Sequence, residues 1–171
     1  DVYKRQQYTY VIHDEMSAGL TSNVRSNEDV TIKVNDETVL DKNYYTVTVD
    51  EVNTNKFTVT VDVLNAIKDG KMVEGNTLYT YYTGILNEKA KVYNDGKQDN
   101  KAYLEYSNNP HDNTTTNKTP EKVVYDWTFK MGVKKVDGAD GTPLTDAKFV
   151  LSKEKNCDLG AIGDDGQPVS Y

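Results

Sequence analysis

The sequence predicts an all-β chain organised as β-sandwiches. Three observations predict it. Short stretches alternate apolar and polar residues with the two-residue period of a half-buried strand. Turn-forming Asn, Asp, Gly and Pro recur between those stretches, and only one short segment has helical spacing. The composition agrees: of 171 residues 36% are hydrophobic and 10% aromatic, and the aromatics are mainly the 13 tyrosines. Tyrosine and threonine favour strands and tolerate half-exposed positions.

Residues 8–13 read as a first strand, closed by a turn over 14–19. In 29–34, Val30, Ile32 and Val34 alternate with Thr31 and Lys33, and Asn35-Asp36 then turns the chain into a short strand at 38–40. Residues 44–50 and 57–62 both contain Thr-Val-Thr-Val-Asp. They are too close together to be repeats of a fold and read as two paired strands. Leu64, Ile67 and Lys68 have helical spacing with Gly70 after them, which predicts one short helix over 63–69. The Tyr- and Thr-rich stretch 76–86 is the longest strand candidate, leading through 87–90 to Val92-Tyr93 and the turn Asn94-Asp95-Gly96.

In the next strand, Ala102, Leu104 and Tyr106 alternate with Lys101, Tyr103, Glu105 and Ser107. Asn100 and Asn108 share the parity of the apolar set. A buried amide without partners costs about 1–3 kcal/mol. The plain reading is therefore two turn asparagines at strand ends; the other is amides placed on or beside a core face. Residues 107–122 read as a long loop, and 123–136 return to strand character with Trp127 and Phe129 as core. A further strand is expected at 147–151 after the turn Gly141-Thr-Pro143, and the pattern weakens beyond Ser152. A boundary near 125–129 gives a first domain over 1–125 and an incomplete second one over 126–171. A piece of about 40 residues is too short to bury a good core alone.

Several function classes are disfavoured. The net charge is −7 with no basic block, so clustered cations for nucleic acid are absent. No apolar run approaches the ~20 residues of a membrane-spanning helix. The single cysteine, Cys157, allows no internal disulfide. His13 and His111 are isolated from any zinc-ligand spacing, and the acidic turns at 95–96 and 137–140 lack the calcium-loop pattern, so neither metal nor cofactor is expected. No nucleophile elbow or hydrolase order accompanies the Ser, His and Asp residues. Asn113-Thr-Thr and Asn117-Lys-Thr fit the glycosylation sequon but read as loop composition.

Three segments, in order, resemble one family. Asn-x-Ala-x-Leu-x-Tyr-Ser-Asn-Asn-Pro at 100–110 resembles the last strand of the isopeptide-forming domain of Gram-positive backbone pilins. Tyr8-Thr-Tyr-Val-Ile-His-Asp-Glu-Met-Ser-Ala-Gly-Leu-Thr21 resembles that domain's Y-x-I-x-D-x-x-S-x-G-L-T segment. Lys134-Lys-Val-Asp-Gly-Ala-Asp-Gly-Thr-Pro-Leu-Thr-Asp-Ala-Lys-Phe-Val-Leu151 is similar to the opening of a collagen-adhesin B-type domain. The resemblance implies an immunoglobulin-like sandwich of the collagen-adhesin A type, followed by the start of a B-type domain. Residues 1–6 do not match the family pattern and read as foreign to the native gene.

The family's chemistry joins a lysine amine to an asparagine side-chain amide with release of ammonia, assisted by an Asp or Glu. Burial makes this feasible, because it favours the neutral, nucleophilic amine and the protonated carboxyl. By resemblance Asp14 falls on the assisting acid and Asn100 on the acceptor, with Asn108 as the alternative. The plainer role for Asp14 is to cap a turn before Ser17 and Gly19. The family's lysine lies on a strand upstream of this segment, and Lys4 matches no motif, so the first cross-link is expected to be absent from this fragment. Lys135, ahead of Val136-Asp137, matches the reactive lysine of B-type domains. Lys134 competes with it because alternation alone does not decide which one points inward. Its Glu and Asn partners would lie past Tyr171.

The function implied is that of a structural subunit of a sortase-assembled pilus shaft, extracellular and anchored to the cell wall. Its implied partners are other pilin subunits joined through sortase, and host extracellular matrix. Its only chemistry would be a single self-reaction, not enzymatic turnover. The alternative is a stalk or ligand-binding module of a collagen-adhesin-like surface protein. A third reading is the accessory sandwich of a carbohydrate-active enzyme with a tyrosine-lined face. Neither a signal peptide nor a Leu-Pro-x-Thr-Gly sorting signal occurs, so on the family reading the chain is an internal fragment.

Overall fold

The computed structural model describes residues 8–92, 97–107, 115–128 and 132–145. The chain divides into two compact units, Asp1–Lys130 and Met131–Tyr171. The first unit is an all-β sandwich. Its strands among the described residues are β1 (Thr9–Met16), β2 (Leu20–Ser22), β3 (Thr31–Val34), β4 (Thr38–Val39), β5 (Tyr45–Val49), β6 (Lys56–Asp62), β7 (Leu78–Tyr81), β8 (Gly84–Leu86), β9 (Lys97–Ser107), β10 (Thr116–Lys118) and β11 (Lys122–Trp127). A short helix, α1 (Val63–Lys68), follows β6.

One sheet runs in the order β10-β9-β1-β6-β5, with β11 also paired to β9. A second sheet has the order β4-β3-β7, and β2 pairs with β8 as a small third one. All these pairings are antiparallel. The two Thr-Val-Thr-Val segments pair as expected, with Thr46 opposite Thr60, Val47 opposite Val59 and Thr48 opposite Thr58. Alternation then sends Phe57, Val59 and Val61 of β6 to one face, where they pack with Ile32 and Val34 of β3 and with Val24, Val30 and Leu40. All of these but Val34 are at most 2% exposed, so hydrophobic burial between the two layers holds the sandwich together.

Local chemistry places the connections. Asn35 and Asp36 sit at φ 53° and 61°, the left-handed pair a two-residue hairpin needs between β3 and β4. Asp62 caps α1 by accepting from the Asn65 backbone N–H at 3.0 Å, and Gly70 follows its end at φ 67°. The Asn55 side chain takes the Ser22 N–H at 3.0 Å and donates to the carbonyls of Leu20 (2.7 Å) and Ser17 (3.3 Å), so one amide fixes the chain between β1 and β2. Asn27 does the same for the outer edge of β5. Its Oδ1 accepts from Val47 N–H at 2.7 Å and its Nδ2 donates to the Tyr45 carbonyl at 2.9 Å.

Several elements differ from the sequence reading. Residues 76–86 are two strands in different sheets, because the chain leaves β7 for β8 at Tyr82-Thr83. The stretch 107–122 is not all loop; it contains β10, which pairs with the far end of β9. Between the ends covered by β10 and β11, Thr119 and Leu104 continue the ladder, backbone to backbone at 2.8 Å and through the Thr119 hydroxyl at 3.0 Å. Trp127 is 54% exposed and not core, since nothing covers β11 within the described residues as completely as the inner layer is covered. The expected core Phe129 and strand 147–151 lie outside the described residues, as do Tyr93 and the turn at 94–96.

In the second unit the described residues form one tight turn. Val136 bridges Pro143, Asp137 N–H meets the Thr142 carbonyl at 2.9 Å, and Gly141 adopts φ 76°.

Candidate functional site

β1 lies between β6 and β9 and is paired along both edges as far as Glu15 and Met16. That double ladder extends the strand beyond the apolar residues at its start. Asp14 is therefore inside a central strand and not in a turn, which corrects the capping role. It shares the inward face with Tyr10, Ile12 and Met16, and it is 2% exposed. Phe57 stands directly opposite on β6.

Asn100 is likewise inside a strand. It is the fourth residue of β9, paired with Met16 on one side and Val124 on the other, so the strand-end reading does not describe it. Its register places it diagonal to Asp14 on the same face, the closest reach available to non-opposed residues of neighbouring strands. The Asn100 Nδ2 donates to Asp14 Oδ2 at 3.0 Å. Two of the residues that the sequence resemblance singled out, Asp14 and Asn100, are in direct contact across β1 and β9.

A third group completes the cluster. Tyr82, just past the end of β7 in the opposite layer, donates its hydroxyl to Asp14 Oδ2 and accepts from Asn100 Nδ2 at 3.0 Å. Its ring meets Phe57 edge-on, with centroids 5.0 Å apart at 79°. Sequence reading missed Tyr82 because it sat in what looked like one continuous Tyr/Thr strand. The available signal was parity: Leu78, Thr80 and Tyr82 share a face, and the shielded positions of β7 are Leu78 and Thr80.

The electrostatics follow from this setting. Burial pushes the Asp14 carboxyl above its ordinary value, against the opposing pull of the hydrogen bonds from Tyr82 and Asn100. Burial also raises the Tyr82 phenol, reinforced by its hydrogen bond to Asp14. Two oxygens of the cluster, Asp14 Oδ1 and Asn100 Oδ1, are buried with no hydrogen-bond partner, and Thr80 Oγ1 is a third such atom. A buried acceptor without a donor costs about 1–3 kcal/mol, so the pair is an open socket for a hydrogen-bond donor.

The remaining candidates lie elsewhere. Lys135 is exposed in the second unit, and its carbonyl accepts from Leu144 N–H at 3.0 Å. Lys134 beside it is exposed too. Asn108, Cys157, His111 and Lys4 lie outside the described residues. His13, on the opposite face of β1 from Asp14, stacks on Tyr103 at 4.4 Å and meets Glu105 at 3.2 Å. No group of three or more His, Cys, Asp or Glu among the described residues could hold a metal ion, and no helix there is long and apolar enough to cross a membrane.

No protein-family model matches the sequence, and no curated protein matches it. Solved structures do. A 35 kDa C-terminal fragment of the major pilin of Streptococcus agalactiae superposes with a TM-score of 0.58 at 19% identity, over 80% of this chain and 49% of the fragment. The full-length major pilin of Corynebacterium diphtheriae superposes with a TM-score of 0.50 at 22% identity, over 81% of this chain and 32% of that protein. The chain thus spans half or less of each of these two structures. It has the fold of Gram-positive major-pilin domains, an all-β sandwich.

Proposed function

We propose that this chain is part of the shaft subunit of a cell-surface pilus, and that Asp14 and Asn100 form the isopeptide site of its first domain. The observation that carries this is the buried contact of Asp14 with Asn100, with one oxygen of each left open to a donor. A neutral lysine amine fits that socket: it has hydrogens for both oxygens and an electron pair for Asn100 Cγ. Its attack forms the new C–N bond. One amine proton passes through Asp14 to Nδ2, the Cγ–Nδ2 bond breaks, and ammonia leaves, so atoms and charge balance. Burial favours the protonated carboxyl, so Asp14 can carry a proton to Nδ2, the amide atom it already contacts at 3.0 Å. Fixed placement of the groups supplies the rest of the acceleration. In the second domain, Lys135 is the corresponding nucleophile by motif.

Strands stacked end to end in a shaft carry tension, and an internal covalent bond stops a domain from extending under it. Joining of subunits by sortase, cell-wall attachment and an extracellular location belong to this proposal. So do a first domain over 1–125, a second beginning at 126, and contact with host matrix.

Intact mass of the full-length gene product tests it. Each bond removes one ammonia, about 17 Da by the amide exchange. Asn100→Ala is expected to restore one such increment and Lys135→Ala another. A wild-type mass equal to the sequence mass would overturn the cross-link reading.

A further inference from the structure

We propose that Tyr82 is a third working residue of this site, whose hydroxyl holds the departing nitrogen of Asn100 against Asp14 and so orients the amide for attack. The role rests on the cross-link reading above and adds a residue that none of the three segments of the resemblance contains.

The geometry makes the case. An asparagine amide can present either nitrogen or oxygen to a neighbour, since the two ends differ only by a half-turn about the last side-chain bond. For transfer to an amine the arrangement must be one-sided. The nitrogen has to face the group that returns a proton to it, and the oxygen and Cγ have to face the nucleophile. Asn100 satisfies this through two bonds from one atom: Nδ2 donates to Asp14 Oδ2 and to the Tyr82 hydroxyl, each at 3.0 Å. The Tyr82 hydroxyl has given its own hydrogen to Asp14 Oδ2, so only its acceptor side is free to receive Nδ2. Turning the amide over would point its oxygen at a hydroxyl with no hydrogen left to offer. The hydroxyl thus selects the orientation in which Asn100 Oδ1 is the open atom, which is the one found without a partner.

The origin of Tyr82 strengthens the argument. Asp14 and Asn100 belong to one sheet, and Tyr82 reaches them from the other layer, steadied by its edge-on contact with Phe57. The site is therefore assembled only when the two layers close. A chain with the sheets unpacked holds Asn100 in no fixed orientation, and the reaction waits for folding.

Tyr82→Phe keeps the ring and its contact with Phe57 and removes the hydroxyl alone. The test uses the full-length protein made by cell-free synthesis, so that the reaction is followed from newly folded chains by intact mass. The Tyr82→Phe protein is expected to lose ammonia more slowly than wild type, by on the order of 10²-fold, the usual result of loosening a reacting group. A second readout separates this from a change in packing. The Tyr82 bond pulls the Asp14 carboxyl downward, so without it the protonated form persists to higher pH, and the alkaline limb of the rate profile moves up. Folding of the variant is checked separately by thermal unfolding in an Asn100→Ala background, where no bond can form. Equal rates in wild type and Tyr82→Phe, or a slower rate with an unmoved alkaline limb, would overturn the role of Tyr82. A wild-type protein that never loses ammonia would overturn the cross-link reading itself, and Tyr82's role with it.

Discussion

At the scale of single residues, Asp14 is a carboxyl placed where water cannot reach it, and that placement has a pH signature. Its native pKa is raised above the ordinary value of 3.8 by burial. Stability from this group is therefore fully present below the unfolded value and lost as pH rises through the raised native value. In protein without the cross-link, Asp14→Asn should remove that loss. The variant's unfolding temperature should gain on wild type from acid to neutral pH, measured by calorimetry across the range. The comparison cancels Asp29, Asp36, Asp50 and Asp140, whose hydrogen bonds lower their pKa values and give the opposite slope but which are common to both proteins. Parallel pH curves for the two proteins would mean that Asp14 meets more solvent or more donors than its setting indicates. Two of the three residues of this cluster were legible in the sequence. Asn100 shared parity with Ala102, Leu104 and Tyr106, and the motif pointed to Asp14. Tyr82 was not legible, because its partners lie 68 and 18 residues away and nothing local distinguishes it from the tyrosines beside it.

At the scale of elements, the turn from β1 to β2 is held by side chains more than by its own backbone. Gly19 sits where an added Cβ would overlap the amide of Gln98, itself 2% exposed, and come within 2.9 Å of Ala90 Cα. Gly19→Ala should cost about 1–3 kcal/mol by overpacking, read as a lower urea midpoint. A neutral result would show that Gln98 can swing away. Asn55→Ala removes three hydrogen bonds at the same turn and should cost about 2 kcal/mol, measured in the same way. Strand existence was readable wherever one face is buried, as in β3, β5 and β6, because burial forces a two-residue period on the sequence. Strand limits were not. β1 runs on through Asp14 and Met16 because its neighbours' hydrogen bonds carry it there. The break between β7 and β8 is invisible because Tyr and Thr suit a strand in either sheet. The fully apolar look of Trp127 also misled, since β11 pairs along its edge without being covered on its face.

At the scale of the whole first unit, one core between two layers carries the sandwich, and Phe57 joins that core to the wall of the Asp14 site. Phe57→Ala should cost about 3–5 kcal/mol in the uncross-linked protein, a large part of what a domain of this size has. Chemical denaturation checks it, and a cost below 1 kcal/mol would mean that the layers collapse onto the gap. The borders of the large sheet carry a different consequence. On one side β11, Thr119 and β10 in succession form the outermost row beside β9, and on the other the rim at β5 is capped at Tyr45 and Val47 by the Asn27 amide. An unsealed rim recruits copies of itself, a hazard for chains crowded at high local concentration. A single asparagine standing in for a missing strand lets β5 end the sheet with its Tyr45 carbonyl and Val47 N–H already spoken for.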